Sequence, residues 1–225
     1  MSGKLFIVAT PIGNLKDITL RALEVLKAVD YILCEDTRVT GKLLNRYEIS
    51  KKLVPFNDFN EDKKAQAIIN DLVSGQNIAL VSDAGTPLIS DPGYKLVRAC
   101  IHQGIAVETI PGPSSVIAAL TISGLPPDKF TFVGYLPKKD VKRKKFLEDL
   151  KRSREVVKST IIAFESPFRL LKTLEDIKGV YGDIEIVVCR ELTKMHEEVI
   201  RKSISEAFLF FEKKSPRGEV VLVWN

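Results

Sequence analysis

ALVSDAGTPLISDPGYKL, residues 79–96, carries the chain from a strand into a helix through a loop holding two Asp, two Pro and two Gly. The strand, Ile78 to Val81, is apolar throughout and reads as buried, and the helix opens at Tyr94. Nothing between them is an evident nucleophile, metal-ligand spacing or phosphate loop. The segment therefore poses the question of what such a loop holds.

Outward from it, two element types alternate. Apolar, β-branched runs at residues 5–10 (LFIVAT), 31–34 (YILC), 52–56 (KLVPF) and 106–110 (AVETI) are separated by stretches of helical spacing. Leu20, Leu23, Val25 and Leu26 approximate one apolar stripe, and Ala65, Ile68, Ile69 and Leu72 another. This pattern predicts an α/β protein with a largely parallel sheet. After IPGPSS (110–115) and GLPPDK (124–129) a second strand series follows at 130–135, 159–165, 185–191, 197–203 and 219–224. The closer spacing near the end predicts an antiparallel hairpin and so a mixed sheet. The expected architecture is two α/β lobes with a ligand cleft between them. The N-terminal domain is placed at 1–113 and the C-terminal domain at 114–225.

Three loops fall where α/β proteins bind ligands, after the carboxyl ends of strands: TPIGN (10–14), SDAGTPLISDPG (82–93) and PGPSS (111–115). Each joins Gly, which permits close backbone approach, to Pro, which stiffens the path and removes a donor. Tight-turn chemistry alone would explain any single one of them. Three on one sheet edge predict a rigid cradle of backbone groups. Helix starts after DPG and PGPSS offer N–H groups to a carboxylate, and Asp83 offers an anion to an ammonium or hydroxyl. No Lys or Arg lies in any of the three, so a zwitterionic, amino-acid-bearing ligand fits better than a triphosphate.

Composition narrows the classes. At 225 residues and 45% hydrophobic the chain can bury a core, which argues against disorder. No apolar run approaches the roughly 20 residues of a membrane span, and MSGKLFIVATPIGN lacks the features of a secretion signal. A cytoplasmic protein is expected. Cys34, Cys100 and Cys189 are far apart, without CxxC spacing, and read as reduced core residues. GxGxxG and GxxxxGK[ST] are absent, and His102 and His196 are the only histidines, so NTPase, dinucleotide, zinc-protease and Ser-His-Asp chemistry have little support. No metal is expected.

Charge is uneven. Residues 1–113 contain 13 Lys+Arg and 13 Asp+Glu, whereas 114–225 contain 21 and 16, so the second half carries the whole +5. Within KKDVKRKKFLEDLKRSREVVK (138–158) ten basic residues face four acidic ones. Such a patch is a candidate footprint for a polyanion, with Lys138, Lys139, Lys142, Arg143, Lys144 and Lys145 as RNA-binding candidates. A solvated helix face is the alternative.

The segments VATPIGNLKDITLRALEVLKAVDYILCEDTRVTGKLL, NIALVSDAGTPLISDPGYKLVRAC, IPGPSSVIAAL, FVGYLP, FESPFRL, CRELTK and RGEVVLV resemble the ribosomal RNA small subunit methyltransferase I family. That family lies within the tetrapyrrole methylases, the class III S-adenosylmethionine-dependent methyltransferases. The resemblance runs from Leu5 to Val223. It implies two α/β lobes, S-adenosylmethionine in the cleft, a homodimer, and 2′-O-methylation of a decoding-centre cytidine ribose in 16S ribosomal RNA, with the small ribosomal subunit as the expected particle. It places Pro11, Gly13 and Asn14 near the cleft floor, and Asp83, Gly85 and Thr86 against the methionine part of the cofactor. Ser114 and Ser115 fall at the next helix start, and Phe164, Glu165 and Ser166 near the adenosine. Val39, Phe168 and the stretch NDFNE (57–61) stand where relatives often carry histidine, which disfavours a histidine base. Methyl transfer from a sulfonium depends heavily on holding the acceptor in line, and a ribose hydroxyl also needs a proton acceptor. Asp36, Arg38, Asp58, Asn60 and Glu61 are therefore candidates to face the acceptor, Asp36 and Arg38 for orienting substrate and Asp58 or Glu61 for proton handling, and Glu191 and Lys194 compete with them. Two other readings stay open, a tetrapyrrole methyltransferase and a non-catalytic RNA-binding protein. The basic patch disfavours the first and the three cradle loops the second.

Overall fold

The computed structural model describes residues 2–57 and 61–225; Asp58 and Asn60 lie outside the described residues. The chain divides between Ser114 and Ser115 into two compact units. In the first, β1 (Lys4–Val8), β2 (Tyr31–Cys34), β3 (Lys52–Pro55), β4 (Ile78–Leu80) and β5 (Ala106–Ile110) form a sheet ordered β3-β2-β4-β1-β5. All of its pairings are parallel. Parallel neighbours need crossover connections, and α1 (Leu20–Ala28), α2 (Thr37–Arg46), α3 (Glu61–Val73) and α4 (Tyr94–His102) supply them.

Side chains alternate across a strand, so each strand must satisfy two cores. Leu5, Ile7, Leu33, Ile78 and Leu80 pack on one face with Ile68, Ile69 and Leu72 of α3 and Leu96 and Cys100 of α4. Val8, Ile32, Cys34, Ala79 and Val81 pack on the other with Ala22 and Leu26 of α1 and Leu43 and Leu44 of α2. This double coverage is why the strands read as continuous apolar runs. The three cysteines are buried and free. Burial pushes the Cys100 thiol up to about 11 and Cys189 to about 12, which suits inert core residues.

The second unit holds β6 (Phe130–Tyr135), β7 (Thr160–Glu165), β8 (Glu185–Arg190), β9 (Glu198–Ser203) and β10 (Val220–Trp224), ordered β6-β7-β10-β8-β9. β6 and β7 are parallel, and the remaining pairs antiparallel. The sheet is mixed, as the strand spacing predicts, and β8–β9 is the hairpin. The last strand inserts between β7 and β8 rather than lying at an edge. α6 (Asp140–Val156), α7 (Leu170–Tyr181) and α8 (Ile204–Lys214) cover one face through Leu147, Leu150, Leu174, Ile177 and Phe211, packed on Ile161, Ala163, Val188, Leu222 and Trp224. α5 (Ser115–Ser123) packs against β10. Ser203 and Glu206 close a capping box at the start of α8. Among the described residues no helix is long and apolar enough to cross a membrane.

Glu61 departs from its expected role. Its side chain is buried, and Oε1 accepts the backbone N–H groups of Lys95 (3.1 Å) and Leu96 (3.2 Å) in the first turn of α4. It caps a helix from 34 residues away instead of handling a substrate proton. For the same reason the start of α4 is not an open carboxylate site, because two of its N–H groups are already engaged. Removing the carboxyl strands both donors, so Glu61→Ala should cost about 1–3 kcal/mol. Glu61→Gln, which keeps an acceptor, should cost less. Urea midpoints of the three proteins check this.

Candidate functional site

The three Gly/Pro loops leave β4, β1 and β5, which are adjacent in the sheet. Their mutual geometry follows from that adjacency. Thr10 N–H donates to Gly85 C=O at 2.8 Å and Gly85 N–H to Thr10 C=O at 3.1 Å, a two-way bridge between the first loop and the second. Thr10 Oγ1 also donates to Ser82 C=O (3.2 Å), and Thr86 Oγ1 to Pro113 C=O (3.1 Å), which joins the second loop to the third.

Gly85 sits at φ +82°, and a Cβ there would stand 3.2 Å from Ile12 Cγ2. Glycine is required here by backbone conformation and by the packing of Ile12. Because both polar backbone groups of Gly85 are used, its role is to close the cradle. Leu88 and Ser90 in the same loop also have positive φ, 72° and 70°, a strained conformation that the buried Pro87 and Pro92 on either side help to hold. Pro11 is buried, while Gly13 and Asn14 are exposed and Asn14 Oδ1 accepts from Lys16 N–H (3.1 Å). Ser114 and Ser115 are half-buried, and Ser115 opens α5.

β2 lies on the other side of β4, and the loop after it reaches Asp83. Asp36 N–H donates to Asp83 Oδ1 at 3.0 Å. Asp36 caps α2 by accepting Arg38 N–H (2.8 Å) and forms a fork with the Arg38 guanidinium, at distances of 2.6 to 3.1 Å. These bonds hold the Asp36 carboxyl at about 2, well below its ordinary value. Asp83 moves the other way: desolvation raises its pKa first and the Asp36 charge adds to that, while the Asp36 N–H bond and then the Arg38 charge oppose it. The structure thus brings together Asp36, Arg38 and Asp83, from two sequence motifs. Asp36 is a weak base, fully ionised near neutrality and already bonded.

In the second unit Phe164 makes edge contacts with Phe132 (4.9 Å) and Tyr135 (5.6 Å). Glu165 is buried and saturated: it accepts from Ser166 N–H (2.7 Å) and Thr173 Oγ1 (2.6 Å) and pairs with Arg169. Its side chain is a strut, not a ligand group. Ser166 is half-buried. Glu191 accepts from Glu219 N–H (2.9 Å) and Lys194 Nζ (3.0 Å), and Lys194 also reaches Glu219 (3.0 Å). Although burial favours its neutral form, the two carboxylates raise the Lys194 pKa. It is therefore not a neutral base, and the motifs RELTK and RGEV are explained by this ion-pair cluster.

The basic run starts just before helix α6 and continues along it. Lys138, Lys139, Lys142, Lys144 and Lys145 are exposed, whereas Arg143 is 1% exposed and does not belong to the RNA-facing set. Its guanidinium bonds Asp176 (2.8 Å), Asp140 (2.8 Å) and the carbonyls of Pro137 and Lys138 (both 3.2 Å). Asp176 is the partner that reading the sequence missed. It lies among the inward residues Thr173, Leu174 and Ile177 of α7, and a carboxylate at such a position needs a cation. Among the described residues no group of His, Cys, Asp or Glu could hold a metal ion.

The profile of the tetrapyrrole (corrin/porphyrin) methylases matches residues 4–207. Over 221 residues the chain is 51% identical to the ribosomal RNA small subunit methyltransferase I of Thermotoga maritima, covering 98% of this chain and 97% of that protein. It is 49% identical to the protein of the same name from Escherichia coli O157:H7 over 224 residues, 98% of this chain and 77% of that one. Solved structures share the fold at lower identity. Diphthine synthase has a TM-score of 0.74 at 14% identity, over 98% of this chain and 89% of that one. A cobalt precorrin-4 methyltransferase of cobalamin biosynthesis has 0.72 at 19%, over 98% and 93%. The chain belongs to the tetrapyrrole methylase family and, within it, to the family of ribosomal RNA small subunit methyltransferase I.

Two measurements check this geometry. Arg38→Ala should raise the pKa of Asp36 from about 2 towards its ordinary value and raise that of Asp83 further, as followed by carboxyl NMR. Because its folded value is depressed, Asp36 adds stability above the unfolded value of 3.8 and loses it as pH falls through about 2. Asp83, with its folded value raised, works in the opposite sense. Arg143→Ala leaves the buried Asp176 with only the exposed Lys144, 3.7 Å away, and should cost about 3–5 kcal/mol. Lys142→Ala on the exposed side of the same helix should stay within about 0.5 kcal/mol. Chemical denaturation distinguishes the two.

Proposed function

We propose that this chain uses S-adenosylmethionine to methylate the 2′-hydroxyl of a decoding-centre cytidine ribose in 16S ribosomal RNA, acting in the cytoplasm as a homodimer. The observation that carries the cofactor part is the welding of three Gly/Pro loops without Lys or Arg at the carboxyl edge of one parallel sheet. The residues present suit this cofactor. Asp83 is an exposed carboxylate in a loop set without Lys or Arg, a match for the ammonium of an amino-acid end. The half-buried Ser114 and Ser115 at the start of α5 suit its carboxylate. When bound, S-adenosylmethionine supplies a methyl group on an electrophilic sulfonium.

The remaining work falls to the chain. The bridged loops hold a fixed backbone surface, so little reorganisation is needed on binding. Arg38, exposed and anchored by Asp36, orients a ribose–phosphate acceptor through the outward edge of its guanidinium. The RNA part is supported by the names of the relatives and by the exposed lysines of α6, which suit phosphates better than an enclosed porphyrinoid pocket would require.

Asp83→Asn keeps an acceptor for Asp36 N–H but removes the charge, and should weaken S-adenosylmethionine binding roughly 10- to 100-fold by calorimetry. Unchanged affinity would remove Asp83 from the site. Replacing Lys139, Lys142 and Lys145 by Gln should lower the salt slope of RNA binding by about 0.7–0.9 for each phosphate no longer neutralised. Mapping of 2′-O-methyl groups on 16S ribosomal RNA from cells with and without the protein identifies the nucleotide. No methyl difference at any cytidine would overturn the proposed activity.

A further inference from the structure

The carboxyl ends of the parallel strands β6 and β7 carry an aromatic group that no role above uses. Tyr135 closes β6, is 60% exposed, and stands in register with Phe164 of β7. Phe168 follows β7 in a single 3-10 turn, Pro167–Arg169, and is 96% exposed. That turn is held in place from beneath. Arg169 Nη1 donates to the carbonyl of Leu136, the residue after Tyr135, at 3.1 Å, and its guanidinium pairs with the buried Glu165. The exposed Phe168 therefore stands on a turn whose backbone is tied to the segment that follows β6.

The same edge continues through Pro137 into Lys138 and Lys139, both exposed. Arg143 fixes this segment by bonding the carbonyls of Pro137 and Lys138. Exposed rings and ammonium groups thus belong to two segments, 135–139 and 167–169, that Arg143 and Arg169 tie down. An exposed Phe among lysines suits a protein partner poorly, since lysine is depleted at the centres of protein interfaces. It suits a single-stranded polynucleotide, which offers base faces and phosphates at every repeat.

We propose that Phe168 and Tyr135 form a stacking platform for unpaired bases of an RNA strand whose phosphates run along Lys138 and Lys139, an inference that rests on the ribosomal RNA substrate proposed above. The platform contributes affinity through ring faces, and the lysines contribute the salt-dependent part.

The test measures binding of a short unstructured RNA to the full chain by fluorescence anisotropy across a salt series, for the unaltered protein, Phe168→Ala and Phe168→Trp. Phe168→Ala should weaken binding about 5- to 150-fold through removal of one stack, with the salt slope unchanged because no cation is removed. Phe168→Trp should restore affinity, and its indole emission should be quenched by the RNA. The native Trp224 is fully buried and serves as a constant background. Thermal unfolding of the Ala variant at the native midpoint excludes misfolding as the cause. Affinity within about twofold of the unaltered protein in Phe168→Ala overturns the platform while leaving the RNA reading intact. Loss of a dimer by sedimentation in that variant, with RNA affinity retained, assigns the ring to a second copy and also overturns it. If the unaltered protein binds no RNA, the substrate reading fails together with the platform.

Discussion

Two backbone hydrogen bonds between Thr10 and Gly85, one in each direction, tie the loop after β1 to the loop after β4. Much of the first unit is arranged to permit them. They need β1 and β4 to be adjacent and parallel, which the Leu5–Ile78, Phe6–Ala79 and Ile7–Leu80 pairing provides. They also need a residue at φ +82° with no side chain against Ile12, which only glycine satisfies without strain. Once the bridge exists, Thr86 reaches Pro113 and the third loop is fixed as well. Three segments far apart in the chain become one surface, and a ligand bound there meets a backbone ordered in advance.

The second unit solves a related problem with charges. Arg143–Asp176 buries both charges and Arg169–Glu165 buries the carboxylate, with hydrogen bonds to Pro137, Lys138, Leu136, Ser166 and Thr173. Such pairs are poor sources of stability because desolvation offsets most of their attraction. What they supply here is position: each arginine grips carbonyls of the segment that follows β6. The exposed lysines and Phe168 then stand on a fixed base, whereas surface side chains on an untethered loop would have to be ordered on binding.

Electrostatics also sorts the carboxylates of the first unit by role. Asp36 is ionised, capped and paired with Arg38, Glu61 is buried in a helix cap, and Asp83 keeps a raised pKa at the loop edge. Three acids that look alike in sequence are thereby separated by environment: one anchors a guanidinium, one holds a helix start, and one presents a carboxylate at the cradle.

Strand and helix order could be read from the sequence because both rest on local periodicity. Runs such as Ile78–Leu80 and Tyr31–Cys34 are apolar at every position, and only a doubly covered strand can bury them all. The cradle loops were legible for the same reason, since Gly and Pro act on the backbone where they stand. The fates of Glu61, Arg143 and Glu165 were not legible. Each depends on donors or acceptors supplied by another segment: Lys95 and Leu96 for Glu61, Asp176 for Arg143, and Thr173 across the turn for Glu165. A charged residue in a polar run reads as solvated until the fold brings a buried partner to it. By itself the sequence determined which segments are strands, helices and rigid turns, and which family they belong to. Tertiary structure alone decided which charges face solvent, because burial and pairing are properties of what lies across the fold.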